Sequence, residues 1–352
     1  DLPNFHYLGF DNATMNIGSV KALIWHGNDG SCFTEGTEIL TQENGWIDFK
    51  DLTTDMHVAT MSKVGHIFEW QKPTEITNEP YSGDVYNFKS RCFDLTVTPN
   101  HGMWVKYNQS INTPRCITNY PQKSHLKYDL NWKRMDAKEV HDTWRKQKWT
   151  LPNTVEGYKQ TDFTEFVDVP KFESKNKGMD KKMNHVGRID IKTLAEFIGW
   201  YVTEGHSRKY YTYISQYENV NKENFELIRI LSEKIPINVS HTPKGFAFHS
   251  MELSSYLKNT CGHMSRHKFV PDFIKNNSKE VLEIVFDSLM RGDGCKKSDL
   301  SYSYSSNSKR LLEDVAEIAL KLGFYVNYNK KEGECKSITL SKIQTNPSTT
   351  NK

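Results

Sequence analysis

Ile191-Lys-Thr-Leu-Ala-Glu-Phe-Ile-Gly-Trp-Tyr-Val-Thr-Glu-Gly205 and Lys279-Glu-Val-Leu-Glu-Ile-Val-Phe-Asp-Ser-Leu-Met-Arg-Gly-Asp-Gly294 are two versions of one pattern, and that pattern decides the fold. In the first, apolar residues at 191, 194, 195, 198, 201 and 202 fall on one face of a helix, and the second repeats the periodicity. Each ends in an acidic residue followed by glycine, Glu204-Gly205 and Asp293-Gly294, 89 positions apart. A Tyr/Ser-rich alternating stretch follows each one, Tyr210 to Tyr217 and Tyr302 to Ser306. An amphipathic helix comes next, around Phe225–Leu231 and Leu311–Leu322, with Gly323 placed as a C′ cap. The repetition predicts a pseudo-symmetric pair of helix–strands–helix units.

Two carboxylates, each before a helix-terminating glycine, meet if the two motif helices pack side by side. Gly199 and Gly292 permit the close backbone approach this needs. Paired acids at the foot of such an interface hold divalent cations, and Mg²⁺ in particular takes oxygen ligands and activates water for attack on phosphate. Either motif alone reads equally well as a buried helix with a capping glycine. The two copies together are what point to chemistry. Cys261, His263 and His267 resemble a zinc cluster only superficially, because no fourth ligand has a sensible spacing.

Upstream, residues 38–105 read as a compact all-β module. Short runs such as Glu38–Thr41, His57–Thr60, Asp84–Phe88 and Phe93–Val97 are separated by turn formers. The stretch 106–190 carries 17 Lys+Arg against 11 Asp+Glu, so it holds +6 of a chain whose net charge is +3. Tyr107, Tyr120, Tyr128, Trp132, Trp144 and Trp149 are interleaved with those charges, a pattern that suits phosphate contact as well as an ordinary solvated face. Eight Trp, 17 Tyr and 18 Phe in 352 residues supply core for more than one domain, despite a mean hydropathy of −0.68. No stretch approaches 18 uninterrupted apolar residues, so no membrane partner is expected. The six cysteines show no CxxC and no framework spacing, which suggests a reducing intracellular compartment, cytoplasm or nucleoid. A chain starting at Asp1 reads as a piece of something longer.

The segments 190–340 resemble the two motif helices and flanking elements of a monomeric, two-motif LAGLIDADG homing endonuclease. The resemblance implies an α+β pseudo-two-fold domain that binds double-stranded DNA and cuts both strands with Mg²⁺. It implies that Glu204 and Asp293 bind metal at the scissile phosphates. Lys268-Phe-Val-Pro-Asp-Phe-Ile274 is similar to the family's Lys/Pro turn between motifs, so Lys268 becomes the candidate auxiliary lysine that stabilises phosphate charge. The Tyr/Ser stretches become DNA-facing strands, with Tyr213, Ser215, Tyr302, Tyr304 and Ser306 as the candidate DNA contacts.

Ser31-Cys32-Phe-Thr-Glu-Gly-Thr37 and Asp94-Leu-Thr-Val-Thr98-Pro-Asn-His101 add a second theme. A thiol accepts an acyl group when a nearby His shuttles protons and donors steady the oxyanion. Taken singly, Cys32 reads as a small buried residue and His101 as a turn histidine. Together they resemble the first two blocks of an intein, the N-terminal part of an all-β Hint splicing domain. That resemblance implies Cys32 as nucleophile of an N-to-S acyl shift at the Ser31–Cys32 scissile bond, with Thr98 and His101 polarising it and no cofactor needed. It also implies the layout: 1–31 an N-extein flank from the host protein, 32–105 the Hint part, 106–189 a basic insertion in the DNA-contact region, 190–340 the endonuclease and 341–352 a polar tail. The His-Asn pair that ends an intein is missing, since Asn351 follows Thr350 and precedes Lys352. The chain is therefore expected to be either the N-terminal half of a split intein, with a C-terminal intein segment as partner, or a fragment of a longer precursor. Two further readings stay open: a homing endonuclease whose Hint part is an inactive relic, and a hedgehog-like autoprocessing module, for which the repeated acidic motifs have no use.

Overall fold

The computed structural model describes residues 4–9, 21–22, 32–34, 37–61, 67–89, 94–107, 133–143, 149–151, 154–171, 185–329 and 336–342. Ser31, four of the interleaved aromatics (Tyr120, Tyr128, Trp132, Trp144) and the tail from 343 onward lie outside the described residues. The chain divides into two compact units, Asp1–Gly157 with Tyr325–Tyr328 and Gln344–Lys352, and Tyr158–Phe324 with Asn329–Ile343.

The first unit is almost wholly β among its described residues. Glu38–Thr41, Val58–Met61, Tyr86–Lys89 and Asp94–Val97 are strands, close to where alternation and turn formers put them. Asn4–Gly9, inside the stretch read as flank, is also a strand and pairs with Cys32–Thr34 and Glu75–Pro80. Inward-facing residues of several strands, among them Phe33, Ile39, Val58, Phe88, Val97, Met103 and Val105, make one apolar core. Helix α1 (Ala137–Thr143), unforeseen in the polar 106–190 stretch, closes that core with Ala137 and Val140.

The second unit holds the repeat. Helix α2 (Ile191–Glu204) starts where the Asp190 side chain accepts from the Lys192 and Thr193 amides. It is followed by the strands Gly205–Ser207 and Thr212–Ser215, helix α3 (Lys222–Lys234), the strands Val239–Thr242 and Gly245–Phe248, and helix α4 (Met251–Cys261). After the short α5 (Asp272–Lys275) the order recurs: α6 (Lys279–Gly292), Gly294–Ser298, Ser301–Ser306, α7 (Lys309–Lys321), then Lys336–Ser341. In the first sheet the strands lie 205–207, 212–215, 245–248, 239–242. In the second, Gly294–Ser298, Ser301–Ser306 and Lys336–Ser341 lie side by side in the corresponding order. Gly323 is left-handed at φ +76°, and the Gly323 and Phe324 amides bond back to Leu320 and Ala319, which ends α7 as expected.

The boundary of this unit lies further upstream than the change to helical periodicity at 190. Phe166–Asp168 pairs with Arg188–Asp190, and the Thr161 and Asp162 amides donate to the Asn276 carbonyl. Part of the presumed basic insertion is therefore edge structure of the helical unit, tied on by backbone bonds that hydrophobic periodicity does not register.

Helices α2 and α6 pack backbone to backbone. A Cβ at Gly199 would lie 2.5 Å from Ser288 Cβ and 3.1 Å from the Val285 carbonyl, and one at Gly292 would lie 2.3 Å from Thr203 Oγ1. These glycines are the reason the two helices can touch. Around that seam Leu194, Ile198, Trp200, Tyr201, Val285 and Leu289 are all buried.

Candidate functional site

The α2–α6 seam delivers its last residues to one place. Glu204 closes α2 and Asp293 caps α6, each followed by a glycine whose Cβ would clash with its own preceding turn. Glu204 is half-buried and Asp293 is exposed, so the pair opens to solvent. Surrounding protein lifts both carboxyls above their ordinary range, and for Glu204 the Asp293 charge lifts it further. Opposing this in both cases is Lys268.

Lys268 is buried, and its Nζ donates to the Tyr201 carbonyl at 2.7 Å and the Gly205 carbonyl at 2.5 Å, capping the C-terminal end of α2. Burial brings its ammonium down to about 8, against the pull of Asp293 and Glu204. The main chain of Lys268 is held from the other repeat: Ser308 Oγ donates to its carbonyl at 2.7 Å, and two residues on, the Val270 amide donates to Asp314 at 2.8 Å. The segment joining the repeats is thus a strap pinned to α7, whose lysine reaches across to α2.

Beneath the strap lies an ionic cluster that the sequence reading missed, a buried quartet of Lys275, Asp314, Glu317 and Lys321 with partly exposed Asp272 at its edge. Lys275 Nζ meets Asp314 at 2.9 Å, Glu317 at 3.0 Å and Asp272 at 3.0 Å, while Lys321 Nζ meets Glu317 at 2.7 Å and the Lys275 carbonyl at 2.8 Å. Asp314, Glu317 and Lys321 lie at i, i+3 and i+7 on α7, which is a visible helical stripe. Charged residues on a stripe read as a solvated face, and only the packed strap turns that face inward.

The donor set at the acidic pair fits a hard divalent cation. Both groups are carboxylates, the hard oxygen donors such an ion prefers, and Cys261 of the superficial Cys/His cluster is fully buried. Among the described residues no group of three or more His, Cys, Asp or Glu could enclose a metal. Glu204 and Asp293 would be the residues to hold such a cation, with its other coordination positions left for oxygens from elsewhere.

The two sheets sort the expected DNA contacts by strand parity. Tyr213 and Ser215 lie on the outer face of Thr212–Ser215, half-exposed beside His206, while Thr212 and Ile214 are buried. On Ser301–Ser306 the parity is reversed, and three assignments need correction. Tyr304 is fully buried, Tyr302 packs edge-on against Phe286 and Phe324, and Ser306 Oγ accepts the Ser308 amide at the turn into α7. All three belong to the helix-packed face. The outer face of this strand carries Ser301, Ser303 and Ser305, with Ser337 and Thr339 opposite the last two. Period two makes a one-residue choice of face decisive, and aromatic content misled it: Tyr304 is core, half-buried Tyr302 leans on the same side, and the alternate serines face outward.

In the first unit Thr98 and His101 are both buried at one turn, with the His101 amide donating to the Thr98 carbonyl at 3.1 Å. The His101 ring stands edge-on to Phe33, centroids 4.8 Å apart. Phe33 pairs antiparallel with Val97, so the register carried one residue further sets Cys32 across from Thr98. Thr98 Oγ1 is buried with no hydrogen-bond partner among the described residues. Helix α1 clamps this turn through bonds from the Ala137 and Lys138 amides to the His101 and Pro99 carbonyls.

No protein-family model matches the chain. It is 25% identical over 310 aligned positions to the ATP-dependent Clp protease proteolytic subunit of Chlamydomonas moewusii, covering 83% of this chain and 28% of that protein. Against the DNA-directed RNA polymerase subunit beta C-terminal section of Stigeoclonium helveticum it is 25% identical over 373 positions, 93% of this chain and 32% of that one. Against the ribonucleoside-diphosphate reductase subunit beta of Aquifex aeolicus it is 33% identical over 104 positions, 29% of this chain and 14% of that one. The chain spans less than a third of the length of each. Among solved structures it is similar to the homing endonuclease I-DmoI, at 15% identity and a TM-score of 0.32, covering 43% of this chain and 89% of that one. For I-DmoI in complex with DNA and Mn the figures are 14%, 0.32, 43% and 90%.

Proposed function

We propose that the second unit is a divalent-metal-dependent endonuclease that cuts both strands of a DNA site. The observation that carries this is the α2–α6 seam, which brings one carboxylate from each repeat to a common, solvent-open point beside a buried lysine. Glu204 and Asp293 are the residues to hold Mg²⁺, and the cation, when bound, supplies Lewis-acid polarisation of a phosphate oxygen and activation of water. Lys268 keeps a positive charge within reach of both carboxylates and offsets negative charge developing on the phosphate. The outer faces of the two sheets, with Tyr213, Ser215 and His206 on one and Ser303, Ser305 and Thr339 on the other, offer hydroxyl, imidazole and phenol groups to base edges and backbone. Selection of a cut site from a randomised DNA library in Mg²⁺ tests the reading. Cleavage by wild type and not by Glu204→Gln or Asp293→Asn supports it, and undiminished cutting by either variant refutes it.

We infer that the first unit is the N-terminal part of a protein-splicing module. Cys32 is its nucleophile toward the carbonyl of Ser31, and Thr98 and His101 supply the donor and the proton shuttle. Three curated relatives with unlike names, a protease subunit, a polymerase subunit and a reductase subunit, each share a stretch with this chain. A segment that recurs inside such different proteins fits a self-excising insert better than a part of any one activity. Intact mass with and without excess thiol, beside Cys32→Ala, tests it. Release of residues 1–31 from the wild type alone supports a thioester at Cys32. If adding a C-terminal intein segment still yields no release, the first unit is a relic that accompanies the nuclease.

A further inference from the structure

Tyr304 is the strongest unexplained group in the second unit. Its side chain is fully buried on the helix-packed face of Ser301–Ser306, yet its hydroxyl has no hydrogen-bond partner among the described residues. Buried hydroxyls without partners are rare and costly, and each asks for an explanation. The position supplies one. Tyr304 pairs in register with Gly294, the residue after Asp293. Burial above all, and after it the charges of Asp293, Asp314 and Glu204, hold the phenol proton far more tightly than usual, so it stays a donor. Asp314 is already engaged, one oxygen on Lys275 and the other on the Val270 amide. The Glu204 and Asp293 carboxylates make no hydrogen bond or ion pair among the described residues, and the Tyr304–Gly294 register sets the phenol's strand beside them.

We propose that the Tyr304 hydroxyl is a positioning donor for the metal centre: it hydrogen-bonds from the protein side to water held by Glu204 and Asp293, and so orients the hydration of the bound cation. This rests on the endonuclease reading of that pair. The role explains why a tyrosine stands where a phenylalanine would fill the same space without an unsatisfied oxygen. It also gives the two carboxylates a neutral donor beside the single ammonium of Lys268, which is occupied by two carbonyls.

The test is Mn²⁺ titration of the full chain, with free ion read by electron paramagnetic resonance, on wild type, Tyr304→Phe and the double variant Glu204→Gln/Asp293→Asn. Thermal melts of each are taken without metal. The proposal expects Tyr304→Phe to melt no lower than wild type, because it sheds an unsatisfied group, and to bind Mn²⁺ about 3- to 10-fold more weakly, the worth of one hydrogen bond. Tyr304→Phe binding Mn²⁺ as tightly as wild type, while the double variant loses it, overturns the role of Tyr304 and leaves the metal pair standing. Wild type and double variant behaving alike, including no binding by either, removes the metal pair and this inference together.

Discussion

Replacing Gly199 by alanine puts the central claim about the α2–α6 seam to a quantitative test. The new Cβ would sit 2.5 Å from Ser288 Cβ and 3.1 Å from the Val285 carbonyl, where ordinary contact begins near 3.4 Å. The helices must separate by roughly an ångström or distort, and overpacking of this kind costs about 1–3 kcal/mol. Alanine returns about 1 kcal/mol of helix propensity over glycine, so the net loss is about 0–2 kcal/mol. Ser288→Gly removes the opposing Cβ and alone costs about 0.5 kcal/mol through propensity. Combined, the two substitutions only move a methyl-sized group across the seam, and the double variant recovers about 1 kcal/mol or more relative to the sum of the singles. Urea unfolding followed by circular dichroism at 222 nm reads this, because six of the seven helices described above lie in the second unit. Additivity within about 0.5 kcal/mol means that the two residues do not share a contact, and the close-packed seam is wrong.

The remaining predictions concern charge. Asp314→Asn keeps one acceptor oxygen but turns an amide N–H toward either Lys275 Nζ or the Val270 amide, while Lys275 retains Glu317 and Asp272; it should destabilise by about 1–3 kcal/mol, and a melting temperature within a degree or two of wild type refutes its role. Lys268→Met strips a donor from two carbonyls and a cation from two carboxylates, so it should cut DNA cleavage by at least tenfold with unchanged DNA affinity, measured by single-turnover assay beside gel shift. The folded pKa of Lys268 lies near 8, below the ordinary lysine range. The unfolded chain therefore binds more protons above pH 8, and the strain of burying this cation is full below pH 8 and relieved as pH rises through the window to about 10.5. Lys321, also lowered to about 8, acts with the same sign. Lys268→Met should accordingly flatten, but not abolish, the rise in stability across that range; an unaltered slope argues that Lys268 is not buried as described. Glu204 and Asp293 are shifted the other way, so with Mn²⁺ kept well below its dissociation constant its affinity should fall on acidification while ordinary surface carboxylates are still ionised, and an affinity that falls only at or below the ordinary carboxylate range contradicts their environment.

What could be read from the residues alone was whatever one element carries within itself. Helix α2 over Ile191–Glu204 and the start of α6 at Lys279 follow from 3.6-residue periodicity, and Gly323 ends α7 because only glycine sits easily at φ +76° there. The duplicated acidic-glycine ending, and the need for small residues at 199 and 292, were legible for the same reason. Where recognition depended on a partner element, the sequence was silent or misleading. The helix at 137–143 lies in a polar stretch, and Asp314, Glu317 and Lys321 look like a solvated stripe until residues 268–277 pack over them. Tyr302 and Tyr304 look like surface aromatics until Phe286 and Phe324 claim that side of the strand. The sequence by itself therefore determined the repeat, its helices and the two carboxylates that end them. Only the tertiary structure decided which face of each strand is outside, which charges are inside, and that a buried Lys268 stands beside those carboxylates. Periodicity records how an element repeats along its own axis, whereas burial is set by neighbours that lie far away along the chain.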